Sequence, residues 1–233
     1  MLADLQSLER RTEPLIKKMR GGDREATATL SLVQRARKIL EQGKPARFME
    51  VAKDEQNLFD NMQLLTAKPV MYVCNVDDQS AATGNSLSVM VADRAKTEGS
   101  ACVVISADIE AEIAQLDNID DKKEFLESLN LERTGLERVI RAGYSLLGLI
   151  TYFTAGPNEA RARTIPRNTA AVDAAGIIHT DFARGFICAE TISYADYVSY
   201  AGEAGAKEVG RMRQEGRDYI VKDGEVVLFR FNV

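Results

Sequence analysis

The stretch KPVMYVCNVDDQ, residues 68–79, decides how this chain is read. Residues 70–75 form a nearly unbroken apolar run, the pattern of a strand covered on both faces. The run leads straight into Asn75-Val76-Asp77-Asp78. Two readings account for an amide and two carboxylates at the end of an apolar strand. Asn and Asp side chains build turns by bonding their own backbone. Alternatively the polar end is a ligand site, because open α/β sheets bind ligands beyond the carboxyl ends of their strands. An asparagine amide sets a donor beside an acceptor, which matches adenine N6 and N7, and the Asp78 carboxylate could accept guanine's N1–H and N2–H. A second apolar run, 101–106, ends in Ser106-Ala107, whose backbone N–H groups could serve a ring acceptor.

Outward from these strands the pattern alternates. A helix over 53–65 precedes the first strand, a helix over 86–98 stopped by Gly99 separates the two, and helices fill 108–147. Strands separated by helices pair in parallel. Two are fewer than the five or six strands of a typical sheet, so either partner strands lie elsewhere or this layer is incomplete. Upstream, residues 1–42 read as two helices. Leu2, Leu5 and Leu8, then Leu15, Ile16 and Met19, recur at helical spacing; Gly21-Gly22 stops the first helix and Asp23 caps the second. Leu30, Val33 and Leu40 make the second stripe, closed by Gly43 and Pro45. Pro14 should kink the first helix at a cost of about 3 kcal/mol. No capping residue precedes Leu2, which suggests a segment of something longer. Downstream, short strands are expected at 149–154, 160–165, 185–191, 217–222 and 225–231, with a hairpin at Asp223-Gly224 and helices at 169–175 and 203–215. That is an α+β layer, a mixed sheet backed by a helix.

Composition narrows the function. The 233 residues carry a net charge of −5, which is no footprint for non-specific nucleic-acid binding, though a local basic patch fits. Cys74, Cys102 and Cys188 lie far apart with no CxxC pair, which argues for reduced thiols rather than a disulfide framework or a zinc site. The lone histidine, His179, lacks a nucleophile or acid partner and reads as a loop-fixing residue; no catalytic or metal-ligating residue is identified. No run of eighteen apolar residues could span a membrane. Arg161, Arg163, Arg167 and Arg184 are candidates for an RNA-phosphate face, with scattered solvated arginines as the plain alternative.

Several longer stretches go further. LLTAKPVMYVCNVDD, GGDREATATL, EQGKPAR, RAGYSLLGLITYFTAGPNEARARTI, AAGIIHTDFARGFICAETISY and KEVGRMRQEGRDYIVKDGEVVLFRFNV together resemble the YchF subfamily of Obg-like ATPases along essentially the whole chain. The resemblance implies an α/β plus α+β fold in three parts. These are a helical hairpin arm at 1–47, the C-terminal part of an OBG-type nucleotide-binding domain with a partial P-loop-NTPase-type parallel sheet at 48–147, and a TGS domain of ubiquitin-like β-grasp fold at 148–231. It implies ATP binding in preference to GTP, hydrolysis with Mg2+, ribosome association through RNA or protein, and a cytoplasmic location, with no membrane and no sequence-specific DNA partner. The family's base-reading Asn-x-x-Glu motif falls on residues 75–78: Asn75 would read adenine, Val76 would pack on the base, and Asp78 stands where the family has glutamate. Ser106-Ala107 resembles the last nucleotide motif.

Phosphate binding of this type uses G-x-x-x-x-G-K-[ST]. These residues contain no such run; Gly43-Lys44 is followed by Pro45. The chain by itself is therefore expected to hold nucleotide weakly and to hydrolyse none. The competing readings are a nucleotide-independent module in which the arm and TGS domain dock on ribosome or RNA, and a structural adaptor built on the arm.

Overall fold

We analysed the chain as a computed structural model that describes residues 1–156 and 159–232. It separates into two compact units, Met1–Val70 and Met71–Val233.

The first unit is a helical hairpin. Helix α1 (Leu2–Arg20) and α2 (Arg24–Glu41) are joined by a short glycine turn, and Asp23 caps α2 by accepting the Ala26 N–H at 3.0 Å. Pro14 lies inside α1, on its exposed side, and α1 remains one element. The helix expected over 53–65 is shorter, α3 (Gln56–Asn61), followed by a 3-10 turn at Leu65–Ala67. Gln63 adopts φ +48, which takes the backbone out of the helix. Met49, Phe59, Met62 and Leu64 then pack into one core with Leu8, Leu32, Val33, Ala36 and Leu40 of the hairpin.

The second unit opens with β1 (Met71–Asn75), α4 (Ser86–Glu98), β2 (Ala101–Ile105), α5 (Ala107–Gln115), α6 (Ile119–Ser128) and α7 (Gly135–Leu146). β1 and β2 pair in parallel, Met71 opposite Ala101 through Asn75 opposite Ile105, so both strands end at the same level. α4 starts with an Asn85–Ser88 capping box and stops at Gly99, which takes the left-handed conformation of a helix terminator.

The rest is a five-stranded sheet. Its strands are β3 (Leu149–Ala155), β4 (Ala160–Pro166), β5 (Phe186–Ser193), β6 (Arg213–Glu215) and β7 (Glu225–Phe231), in the order β4-β3-β7-β5-β6. The first and last strands, β3 and β7, run parallel at the centre and the other pairs are antiparallel, which is the β-grasp arrangement. Helix α8 (Ala171–Ile178) presents Ala171, Ala174 and Ala175 to the sheet, and these small residues let it settle on Ile150, Tyr152, Ile165 and Val227. Short helices α9 (Thr180–Arg184), α10 (Tyr194–Ser199) and α11 (Glu203–Glu208) complete the unit.

Two expectations fail here for one reason. Residues 217–222 form no strand, and Asp223-Gly224 makes no hairpin with β7. The segment bonds instead to residues 169–171: Ala171 N–H donates to Tyr219 O and Val221 N–H to Thr169 O. Asp223 Oδ1 accepts the Thr151 N–H at 2.8 Å and Gly224 N–H donates to Thr151 O, so the turn is pinned to β3. β7 therefore enters the sheet centre beside β3. The third antiparallel strand on that side is β6, which lies in the expected helix 203–215; α11 ends at Glu208.

Candidate functional site

The aligned ends of β1 and β2 set the site residues side by side. The ladder extends one residue past β1, because Val76 N–H donates to Ile105 O at 2.9 Å. Asp77 then makes the turn: its carboxylate accepts the Ser80 N–H at 3.1 Å and the Ser80 hydroxyl at 2.9 Å, closing a 3-10 turn at Asp78–Ser80. The Ser80 hydroxyl holds the Asp77 carboxyl below the ordinary carboxylate range. The turn reading is realised in Asp77, while its neighbours Asn75 and Asp78 bond to the end of the second strand.

Two cross-links join the strand ends. Ala107 N–H donates to Asn75 Oδ1 at 2.9 Å, and the Ser106 hydroxyl donates to Asp78 Oδ1 at 2.6 Å. Ser106 is buried and also caps α5 through the Ile109 N–H at 3.4 Å. Asn75, Asp78 and Ala107 are exposed, and Val76 is buried in the layer below. The arrangement changes the chemistry assigned to each residue. With Oδ1 held by Ala107, Asn75 offers a ligand chiefly its Nδ2 donor, suited to a ring-nitrogen acceptor of either purine. The Ala107 N–H faces Asn75 and not a ligand. Val76 contributes its backbone to the ladder and its side chain to the interior, not an exposed surface for a base. Asp78 keeps one carboxylate oxygen for a ligand, the other being bonded to Ser106.

A residue that sequence reading did not single out supports this end of the layer. Glu110 of α5 accepts the Gly135 N–H at 2.5 Å and the Leu136 N–H at 2.9 Å, capping α7 while Thr134 accepts from Glu137 N–H at 3.0 Å. Gly135 sits against β2: a Cβ there would lie 2.8 Å from Ile105 Cγ2 and 2.9 Å from Glu110 Oε1. No local signal announces a glutamate 25 residues from the helix it caps. Glu110→Ala should lower unfolding stability by about 1–2 kcal/mol through loss of a helix N-terminal acceptor. Denaturant melts would check this, with Glu110→Gln expected to lose less.

The four arginines are placed differently. Arg161 and Arg163 lie on β4 beside Glu159, the first at 2.9 Å and the second at 4.0 Å, and Arg163 Nε donates to Thr154 Oγ1 at 3.2 Å. Arg184 pairs with Asp181 at 3.0 Å on α9. Arg167 follows β4 and lines a groove of about 610 Å³ with Tyr144, Phe153 and Asp223. Three of the four are therefore paired locally. His179 fixes a loop, as its surroundings in the sequence suggest: its Nδ1 accepts the Asp181 N–H at 3.2 Å and starts α9.

These features define an α/β plus α+β protein in which a short parallel layer is joined to a β-grasp sheet. Known proteins with this build give the family. A family model named YchF-GTPase_C, described as "Protein of unknown function (DUF933)", matches residues 149–232. "Ribosome-binding ATPase YchF" of Pasteurella multocida is 49% identical over 232 residues, covering 100% of this chain and 63% of that protein. The Escherichia coli O157:H7 protein of that name is 47% identical, with 63% of it covered, and that of Bacillus subtilis 43% identical, with 64% covered. The solved structure of the Schizosaccharomyces pombe YchF GTPase superposes with a TM-score of 0.84 at 27% identity, over 98% of this chain and 62% of that one. The chain belongs to the YchF family and corresponds to its C-terminal portion. It spans about 63% of the length of the curated relatives it matches.

Proposed function

We propose that this chain carries the base-reading edge and the TGS domain of a ribosome-associated, cytoplasmic YchF-type ATPase, which binds ATP in preference to GTP and hydrolyses it with Mg2+. The observation that carries the reading is the pair of cross-links Asn75–Ala107 and Asp78–Ser106 at two aligned strand ends. They fix an exposed amide and an exposed carboxylate side by side, at the place where open α/β sheets take ligands. The names of the relatives support the ribosome and ATP as partners. Among the described residues no group of three His, Cys, Asp or Glu could hold a metal, so Mg2+ would enter with the phosphates. Phosphate charge is handled by a loop these residues do not contain, and 1–233 alone should release no phosphate above background. Magnesium-dependent release lost on Asn75→Ala would overturn that.

The geometry supports adenine as the base. Asn75 serves the ring nitrogen common to both purines. Guanine would need a carboxylate to take two donors, and Ser106 already occupies one oxygen of Asp78. Adenine presents no such pair, so it forfeits nothing. In the protein with the phosphate-binding part present, ATP should bind tighter than GTP, and Asp78→Ala should leave ATP affinity within a few-fold. A good bidentate pair is worth about 1–3 kcal/mol of discrimination, so the opposite result would be plain. Titration of both nucleotides against both proteins decides it: tighter GTP binding that disappears in the variant would sink the adenine assignment.

A further inference from the structure

Strand β4 is an edge of the β-grasp sheet. The order β4-β3-β7-β5-β6 leaves its second side without a strand among the described residues. The ladder decides which backbone groups face that side. β3 and β4 pair antiparallel with Thr151 opposite Thr164, and Gly156 N–H to Glu159 O and Arg167 N–H to Gly148 O continue the same register past both strand ends. Hydrogen-bonded pairs recur at every second residue of such a ladder. Arg161, Arg163 and Ile165 therefore bond to β3, while Ala160, Ala162 and Thr164 turn their N–H and C=O groups outward. Pro166 is the next outward position, where the missing N–H costs the ladder nothing. Its carbonyl accepts the Thr169 hydroxyl at 2.6 Å, so the open edge ends there.

The two faces of this edge differ. Arg161 and Arg163 share the α8 face with buried Ile165, Arg161 exposed and Arg163 half-buried. Among the described residues one carboxylate, Glu159, serves both guanidiniums. On the other face small, exposed Ala162 borders the groove of about 610 Å³ that Ile140, Tyr144 and Phe153 also line. The Tyr144 hydroxyl lies 3.1 Å from Thr164 Oγ1, which fixes the ring beside the strand. The acids of the groove are engaged, Glu137 with Arg141 at 2.9 Å and Asp223 with the Thr151 N–H. Arg167 lines the groove and has no ion pair among the described residues.

Charged side chains and a proline commonly guard an edge against association. Here they exclude one occupant in particular. A two-fold pair of copies would join its edges antiparallel, and every register centred on the open edge sets Arg161 or Arg163 across from an arginine of the other copy. A strand with acids at those positions makes the same contact favourable. Its alternate residues then lie beside Ala162, over the groove, where apolar side chains fit. We propose that β4 takes up an extended segment of a partner protein as an added strand, and that this segment alternates acidic with apolar residues. Main-chain bonds to Ala160, Ala162 and Thr164 hold it, and the side-chain alternation selects it. The proposal stands apart from the nucleotide reading.

The test uses the whole chain and a fluorescein-labelled peptide, Asp-Val-Asp-Phe-Asp-Val-Asp, followed by anisotropy and by amide exchange in NMR spectra. Binding should slow exchange of the Ala160, Ala162 and Thr164 amides and leave those of Arg161 and Arg163, already in the ladder, nearly unchanged. Ala162→Pro removes one outward donor and places a ring where the added strand approaches, so affinity should fall about ten-fold or more. Its bonds to β3 are not involved, and a thermal melt matching the unaltered chain establishes the fold. Arg161→Glu, at an exposed side chain, should weaken the peptide and favour its counterpart with lysine in place of aspartate. No binding by the unaltered chain would overturn the proposal, as would binding that both variants leave unchanged. Binding lost in Arg161→Glu but kept in Ala162→Pro, without protection of the three amides, would reduce the contact to surface charge and overturn it as well. An RNA duplex that binds through Arg161 where the peptide does not would give the arginines to phosphate instead. Self-association of the peptide-free chain that Ala162→Pro abolishes would give the edge to a second copy, against the proposal.

Discussion

Asp4→Ala is expected to destabilise the helical hairpin unit by about 2–4 kcal/mol, the range for leaving buried donors of a charged acceptor unpaired. Asp4 is almost fully buried, and its two oxygens accept from Leu65 N–H at 2.9 Å, Thr66 N–H at 2.8 Å and the Thr66 hydroxyl at 2.7 Å. Thr66 Oγ1 in turn accepts the Ala46 N–H at 3.0 Å, so one carboxylate ties the first turn of α1 to both segments that close the unit. Burial raises the Asp4 pKa, but the three hydrogen bonds from Thr66 and Leu65, helped by the N-terminal charge, outweigh it and leave the carboxyl below its ordinary 3.8. A group whose pKa is lowered by folding stabilises the fold above its unfolded pKa and loses that contribution as pH falls through the folded value. Stability of the unaltered hairpin should therefore drop as pH falls below about 3.8, and Asp4→Asn should remove that pH dependence. Chemical denaturation of the two proteins from neutral pH down to about pH 3 checks both points. Equal acid sensitivity in Asp4→Asn would assign the effect to other carboxylates.

Tyr152→Ala should cost the β-grasp domain about 3–5 kcal/mol, the range for truncating a large buried aromatic. Tyr152 is fully buried, donates its hydroxyl to Ala174 O at 2.9 Å and stands edge-on to Phe229 with ring centroids 6.1 Å apart. It holds α8 on the sheet by both shape and hydrogen bond. Tyr152→Phe keeps the shape and removes the hydroxyl's bond to Ala174 O, so about 1 kcal/mol should go. Burial pushes the Tyr152 phenol up to about 12. Its phenolate absorbance should therefore appear above the range of exposed tyrosines, and a Tyr152→Phe difference spectrum would isolate it. A Tyr152→Ala protein that melts like the unaltered one would show that α8 is held from elsewhere.

The sequence by itself determined what local chemistry can specify. Gly21-Gly22 with Asp23 ends one helix and caps the next, because glycine frees the backbone and an Asp carboxylate reaches the first free N–H groups. The two apolar runs were legible as parallel strands between helices, and Asn75 and Ser106 stood at their ends from the spacing alone, but the expected cover on both faces is missing: β1 and β2 are only half-buried and Val73 is exposed. Composition could not say which donor meets which acceptor. Ala107 N–H is close to Asn75 only because β1 and β2 end in register, and Asp78 meets Ser106 across 28 residues for the same reason. The lost strand at 217–222 shows the same limit. An apolar, turn-flanked segment has strand propensity, but Asp223 is drawn to Thr151 across 72 residues, and the sheet centre goes to β7. Glu110 and Asp4 are ordinary helical acids in the sequence. Each became a cap or a clip when folding brought unpaired backbone N–H groups of a distant segment within hydrogen-bond reach, and burial then left those groups no water to bond instead.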